Sequence, residues 1–248
     1  MRKLLNWKRI LFALLVIVIL ITSGFVIWAN NPLPPMPEAL AAIESDSTVT
    51  VTIENGWYTF RPIKTRPTTG FIFYPGGRVD ARAYAPQLRA IAEQGYLTVI
   101  TPMPLNLAIF GLNQASDVIK AYPEIQHWGI GGHSLGGAMA ARFVQSNPSA
   151  VEGIVFWASY PDIDLSTFSI KAVSIFGTND AVAQSSGIQN SDKLLPASTP
   201  FIAITGGNHS GFGWYDLQPG DNEATISHTD QMTQTVAATA NLLADLSK

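Results

Sequence analysis

Hydrophobic and polar positions divide the chain into three unequal stretches. From Ile10 to Trp28 no residue is charged, and only Thr22, Ser23 and Gly24 interrupt the apolar run. These 19 residues make roughly 28 Å of helix at about 1.5 Å each, close to the ~30 Å hydrocarbon core of a bilayer. Arg2, Lys3, Lys8 and Arg9 precede the run, and the next basic residue is Arg61. That asymmetry predicts a transmembrane anchor with a cytoplasmic basic tip over residues 1–29 and an exported body. A cleaved signal peptide is the alternative. It is disfavoured because the run exceeds the usual ~7–15 apolar residues and the only weak cleavage candidate lies near Ala29. Asn30 to Pro37 then reads NNPLPPMP, a proline-dense stretch that cannot be helix and predicts a stiff spacer within a linker over residues 30–47.

The remainder, residues 48–248, alternates short apolar runs with helical patterns. Thr48–Ile53 alternates Thr with Val and Ile, as a half-exposed strand does, and Asn55-Gly56 signals a hairpin into Trp57–Arg61. Further strands are expected at Phe71–Tyr74, Leu97–Thr101, Trp128–Gly131, Ile154–Trp157, Ala172–Phe176 and Phe201–Thr205. Between them lie helical patterns at Tyr84–Gln94, Asn113–Tyr122 and Leu135–Gln145, with a closing one at Thr225–Leu246. Continuously apolar strands alternating with helices predict an α/β fold. Its mostly parallel sheet is covered on both faces, with an antiparallel pair at the N-terminal edge. Ligands of such sheets bind outside the carboxyl ends of the strands, so the residues just after each strand carry the chemistry.

Composition removes several classes of function. With 12 Phe, 7 Tyr and 6 Trp the chain has ample apolar surface to fold. It has no cysteine, which excludes disulfides, zinc-thiolate centres, iron–sulfur clusters and a cysteine nucleophile. Without the four N-terminal cations the body carries 11 basic against 18 acidic residues, so phosphate backbones offer it nothing and nucleic acid is not an expected partner. No cofactor is expected. Gly129-Ile130-Gly131-Gly132-His133-Ser134 lacks the last glycine of a dinucleotide fingerprint, no Gly-Lys-Ser/Thr follows, and no pair of metal ligands stands at helical spacing.

Gly132-His133-Ser134-Leu135-Gly136 fits G-x-S-x-G between a predicted strand and a predicted helix, the context in which a serine nucleophile sits on a sharp, strained turn. A packing turn is the competing reading. A serine hydroxyl needs a base, and the base an orienting carboxylate. Of the four histidines, His127 precedes the serine, His133 adjoins it and is expected to be structural, and His228 falls in the last helical pattern, where it is expected on the surface. His209 directly follows the last strand and is the expected base. Among the acids, Glu152 precedes its strand and Asp192 falls in a helical pattern. Asp180 ends Phe176-Gly177-Thr178-Asn179-Asp180 right after a strand and is favoured, with Asp162 and Asp164 after the preceding strand as the other place for the acid. The oxyanion needs two donors. One is the Leu135 N–H; the other comes from Pro75-Gly76-Gly77-Arg78, through Gly77 or Arg78. Arg78, Asp80 and Arg82 either line the mouth or pair on the surface. Phe110, Trp157 and Tyr160 lie near strand ends and are expected to wall an acyl pocket.

With these residues in view, the chain resembles the α/β-hydrolase superfamily. It looks most like the compact bacterial group called α/β-hydrolase family 5, near the dienelactone-hydrolase-like enzymes. The resemblance rests on FIFYPGGRVD at 71–80, GGHSLGG at 131–137, FGTND at 176–180 and GGNHSGFGWY at 206–215, and spans nearly everything from about residue 48 to the end. It implies Ser134 as nucleophile, Asp180 as acid, His209 as base and Leu135 as an oxyanion donor. Dienelactone hydrolases proper use a cysteine, so that activity does not carry over. Ala158 to Ser169 leaves no room for the large cap domain that lipases of the superfamily carry. The expectation is therefore a membrane-anchored serine hydrolase, a carboxylesterase on small or medium acyl esters. Acyl transfer, thioester or amide cleavage, and a non-catalytic binding protein of the same fold are the alternatives. Nothing in the sequence bears on oligomeric state.

Overall fold

The structure is a computed structural model that describes residues 7–248. Arg2 and Lys3, half of the basic flank, lie outside the described residues. The apolar run forms one helix, α1 (Trp7–Ala29), with only Ala29 buried. An 18-residue window of it has a mean hydropathy of 3.1 and is long and apolar enough to cross a membrane.

The proline stretch is extended, as its composition dictates, but it does not stand away from the body. Leu33 forms a parallel bridge with Val79, accepting from Asp80 N–H at 3.0 Å while its own N–H donates to the Arg78 carbonyl at 2.7 Å. Met36 N–H donates to the Trp214 carbonyl at 2.8 Å, and a short helix α2 (Pro37–Ala41) follows with Ala39 buried. Proline removes N–H donors along the segment but leaves enough of them to tie it down.

The body is an eight-stranded sheet in the order β1-β2-β4-β3-β5-β6-β7-β8. β1 (Val49–Glu54) and β2 (Trp57–Pro62) form the antiparallel hairpin around Asn55-Gly56, both with positive φ. β2 pairs antiparallel with β4, and every later pairing is parallel. β3 (Thr69–Tyr74) lies near the middle, with β4 (Leu97–Ile100), β5 (His127–His133), β6 (Gly153–Trp157), β7 (Lys171–Gly177) and β8 (Phe201–Ile204) flanking it. Because side chains alternate across a strand, Phe71 and Phe73 of β3 enter one core layer while Ile72 and Tyr74 enter the other. The first layer is closed by α3 (Ala85–Ala92) and α7 (His228–Leu246), through Leu88, Ile91, Leu243 and Leu246. The second is closed by α4 (Gln114–Ala121) and α5 (Leu135–Ser146), through Val118, Phe143 and Val144. One short helix, α6 (Ser185–Gln189), lies between β7 and β8. Among the described residues no helix separates β6 from β7, so there is no cap over this edge.

Helix boundaries differ from the sequence pattern for local reasons at the start of α3 and of α7. The helix expected from Tyr84 begins as a 3-10 turn, Ala81–Tyr84, capped by the Asp80 carboxylate on Arg82 N–H at 2.9 Å; Pro86 then opens the α segment. The last helix starts at His228 rather than Thr225, because Ser227 accepts from Asp230 N–H at 3.1 Å as its N-cap.

Candidate active site

Ser134 stands between β5 and α5 with φ +51° and ψ −122°, a conformation that costs a non-glycine residue about 1–3 kcal/mol and persists only where its surroundings enforce it. They do so here. Ser134 N–H donates to the Trp157 carbonyl at 3.0 Å, and its own carbonyl accepts the Ser159 hydroxyl at 2.6 Å. Gly136 shows why the motif needs glycine: a Cβ there would fall on the backbone of Tyr74 and Pro75, so helix and strand could not close around the turn. Ser134 is half-buried at one wall of a cavity of about 310 Å³, lined also by Leu135, Ala158, Ser159, Tyr160 and Val182.

Asp180 and His209 occupy the loops after β7 and β8. His209 Nδ1 lies 2.8 Å from Asp180 Oδ2, with both side chains fully buried. A carboxylate only accepts, so Nδ1 donates and, in the neutral ring, Nε2 is left as the acceptor. That Nε2 is buried and has no hydrogen-bond partner among the described residues. Asp180 Oδ1 accepts from Val182 and Ala183 N–H at 2.8 and 2.7 Å, so the turn-capping role and the pairing role coexist on one carboxylate. Ser134 makes no hydrogen bond to His209 among the described residues. The two are joined through His133, whose ring packs on that of His209 with centroids 4.4 Å apart.

Among the described residues two backbone donors near Ser134 have no acceptor. Leu135, the first residue of α5, and Gly77, in the loop after β3, donate to no protein acceptor, and a Cβ on Gly77 would lie 3.2 Å from Leu135 Cδ2. Arg78 is a correction to the sequence expectation. Its N–H is spent on the Asn106 carbonyl at 2.8 Å, so it cannot serve an oxyanion. Its guanidinium instead donates to the Trp28 carbonyl at 2.9 Å and the Asn31 carbonyl at 2.7 Å. Asp80 pairs with Arg82 at 2.6 Å.

Two of the three expected pocket walls are also corrected. Trp157 is fully buried in the sheet core, against Phe73 at 4.5 Å and bonded to Thr239. Phe110 packs edge-on against Phe25 of α1 and does not line the Ser134 cavity. An aromatic at a strand end can turn to either side, and sequence pattern does not say which. Tyr160 does line the cavity. The other carboxylates have partners of their own: Asp162 lines the Ser134 cavity but pairs with Arg142, Asp164 accepts from Ser166 N–H, Asp192 opens a 3-10 turn, and Glu152 meets His127 at the opposite edge. His228 is not a surface residue but half-buried, against Trp214 at 5.3 Å.

Several supporting residues escaped sequence reasoning. Asp221 accepts from both Ser210 N–H and its hydroxyl, at 2.8 and 2.7 Å, and from Ala181 N–H at 3.2 Å, tying the Asp180 and His209 loops together. Tyr84 accepts from Gly76 N–H at 3.0 Å and meets His133 Nδ1 at 2.8 Å. Burial pushes the Tyr84 phenol far up, and burial together with the His209 ring holds His133 well below the ordinary imidazole range. Both are neutral, so this link between the loop after β3 and the elbow carries no charge. Only the reach of the fold, 49 positions from Tyr84 to His133, hides it from the sequence.

A family model described as the alpha/beta hydrolase family matches residues 70–233. The chain belongs to this family. No curated protein matches it. Among solved structures, this hydrolase is similar to a CIB-like hydrolase from Thermoplasma acidophilum, at TM-score 0.55 and 16% identity over 78% of this chain and 100% of that one. It is similar to the esterase domain of a Rhodothermus marinus protein, at TM-score 0.57 and 13% identity over 78% and 96%. It is similar too to Est1E from Butyrivibrio proteoclasticus, at TM-score 0.58 and 10% identity over 81% and 99%. At these identities the likeness is one of fold.

Proposed function

We propose that this alpha/beta hydrolase is a membrane-anchored serine carboxylesterase acting on small or medium acyl esters through Ser134, His209 and Asp180. The observation that carries the reading is the buried, unpartnered Nε2 of His209, its Nδ1 held by Asp180 at 2.8 Å, on the sheet edge where Ser134 is strained. A buried acceptor without a donor costs about 1–3 kcal/mol; His133 and His228 carry the same orphaned Nε2, but among the described residues only His209 of these three has its Nδ1 held by a carboxylate, as a base awaiting a serine proton requires. Ser134 Oγ attacks the ester carbonyl carbon as its proton passes to His209 Nε2. Leu135 and Gly77 N–H stabilise the oxyanion. The C–O bond to the alcohol breaks, and the alcohol leaves with the proton from His209. Water then adds to the acyl-serine, giving its proton to His209, and collapse releases the carboxylic acid and returns the proton to Ser134. The esterase names of two similar structures support ester over other acyl substrates.

The anchor is α1. Trp7 and Trp28 bracket it, about 32 Å apart along the helix, where the two interfaces of a bilayer would receive them. Lys8 and Arg9 stand at its N-terminal end, which supports a cytoplasmic N-terminus and an extracytoplasmic catalytic domain. The test of the catalytic reading is turnover of p-nitrophenyl acetate by the purified wild type and by Ser134→Ala. The variant is expected to be folded and inactive; undiminished turnover would reject the assignment.

A further inference from the structure

We infer that the catalytic rim is docked on the bilayer surface and takes its ester from an amphiphile resident in the membrane; the substrate half of this inference rests on the hydrolase reading above. The joint between α1 and the body is tied by hydrogen bonds and lies beside the candidate active site. The last turn of a helix leaves carbonyls unsatisfied. Here Arg78 donates to that of Trp28 at 2.9 Å with its guanidinium 4.3 Å above the indole ring, and Asn106 Nδ2 donates to that of Ala29 at 2.9 Å. Ala29 is fully buried, and the chain beyond it is bound along the body by the Leu33–Val79 bridge. Arg78 adjoins Gly77, a proposed oxyanion donor. The helix therefore rises from the carboxyl edge of the sheet, the edge that holds Ser134.

A membrane-crossing helix fixed there brings that edge down to the interface. The surface next to the joint suits it. Phe110 is 49% exposed and touches Phe25 at 6.4 Å between ring centroids, Ile109 beside it is also 49% exposed, and their turn packs against α5. Tyr160 and Val182, on the cavity wall, are exposed as well. Ile109 and Phe110 continue the apolar surface of the anchor onto the body, where a bilayer would cover them, while Tyr160 and Val182 share the cavity wall with Asp162, whose charge is paired with Arg142. The cavity, about 310 Å³, lies at the low end of the ~300–1,000 Å³ of small-molecule pockets. It accommodates a short acyl group or the carbonyl end of a longer one whose remainder stays in the lipid.

The absence of cysteine makes the test direct. In full-length protein reconstituted into phosphatidylcholine vesicles, spin labels are placed by Phe110→Cys and, at the amino edge of the sheet, by Ser198→Cys. The label at 110 is expected to be shielded from a water-soluble nickel relaxant and the label at 198 to be accessible; equal accessibility overturns the docking. For the substrate, the double variant Ile109→Ser/Phe110→Ser is compared with wild type. It is expected to lose about tenfold on p-nitrophenyl laurate in the vesicles and to keep its rate on p-nitrophenyl acetate. Equal rates on the laurate overturn the substrate assignment while leaving the hydrolase reading intact. Inactivity of the wild type on both esters overturns that reading and the substrate assignment with it, while a shielded label at 110 still supports the docked surface.

Discussion

At the scale of single residues, Asp180 divides its two oxygens between two tasks. Oδ1 caps the turn through Val182 and Ala183, and Oδ2 holds His209. Asp180→Asn separates them. The amide oxygen still accepts the turn N–H groups, but an NH₂ facing Nδ1 forces the imidazole proton onto Nε2, where it cannot take one from serine. The fold is expected to survive while kcat falls on the order of 10³–10⁴-fold, read from steady-state kinetics beside a thermal melt. A variant that unfolds, or one that keeps its rate, contradicts this division. The same scale marks what the sequence concealed. The positions of Ser134, Asp180 and His209 on the loops after β5, β7 and β8 were legible because each comes within a few residues of an apolar run. Arg78 was not: its loop is recognisable, but which atom the Asn106 carbonyl claims depends on a backbone with φ +56°. Phe110 and Trp157 misled because an aromatic side chain near a strand end reports apolar area and not direction.

At the scale of elements, the sheet was legible and the connections less so. Buried parallel strands are runs of apolar residues, so β3, β4, β6 and β7 follow their sequence signals closely. β5 extends past the expected Trp128–Gly131 to His133, because Gly132 carries no hydrophobic signal yet is required by close packing: a Cβ there would fall on the backbone of Gly136 and Tyr74. The proline stretch was legible as extended and illegible as docked, since backbone bonds to Arg78, Asp80 and Trp214 leave no trace in side-chain pattern. The strand–turn–helix unit of β5 and α5 should be the least tolerant of added volume. Gly136→Ala pushes a methyl into the backbone between Tyr74 and Pro75. It is expected to cost about 3 kcal/mol in chemical denaturation and to abolish activity. Wild-type stability in this variant would mean that the elbow is not closed as described.

At the scale of the whole molecule, the buried neutral histidine at the elbow makes stability depend on pH. His133 is held well below the ordinary imidazole value of 6.5 by burial first and by His209 second. The unfolded chain takes up a proton below about that pH and the folded state refuses it, so stability is full above it and falls as the pH drops. His228, lowered by partial burial, acts in the same direction. His133→Gln keeps an acceptor for Tyr84 and is expected to remove up to about 1.4 kcal/mol per pH unit from the acid slope of the unfolding free energy. An unchanged slope in denaturant titrations from pH 4.5 to 6.5 would show that His133 protonates freely.

The account as a whole depends on Ser134 being the nucleophile served by His209. The most direct measurement is labelling of the intact protein by a fluorophosphonate probe, followed by peptide mapping of the adduct. A single adduct on Ser134 is predicted, absent in Ser134→Ala and slowed by orders of magnitude in His209→Gln. An adduct on another residue, or labelling of Ser134 that proceeds unchanged without His209, would contradict it.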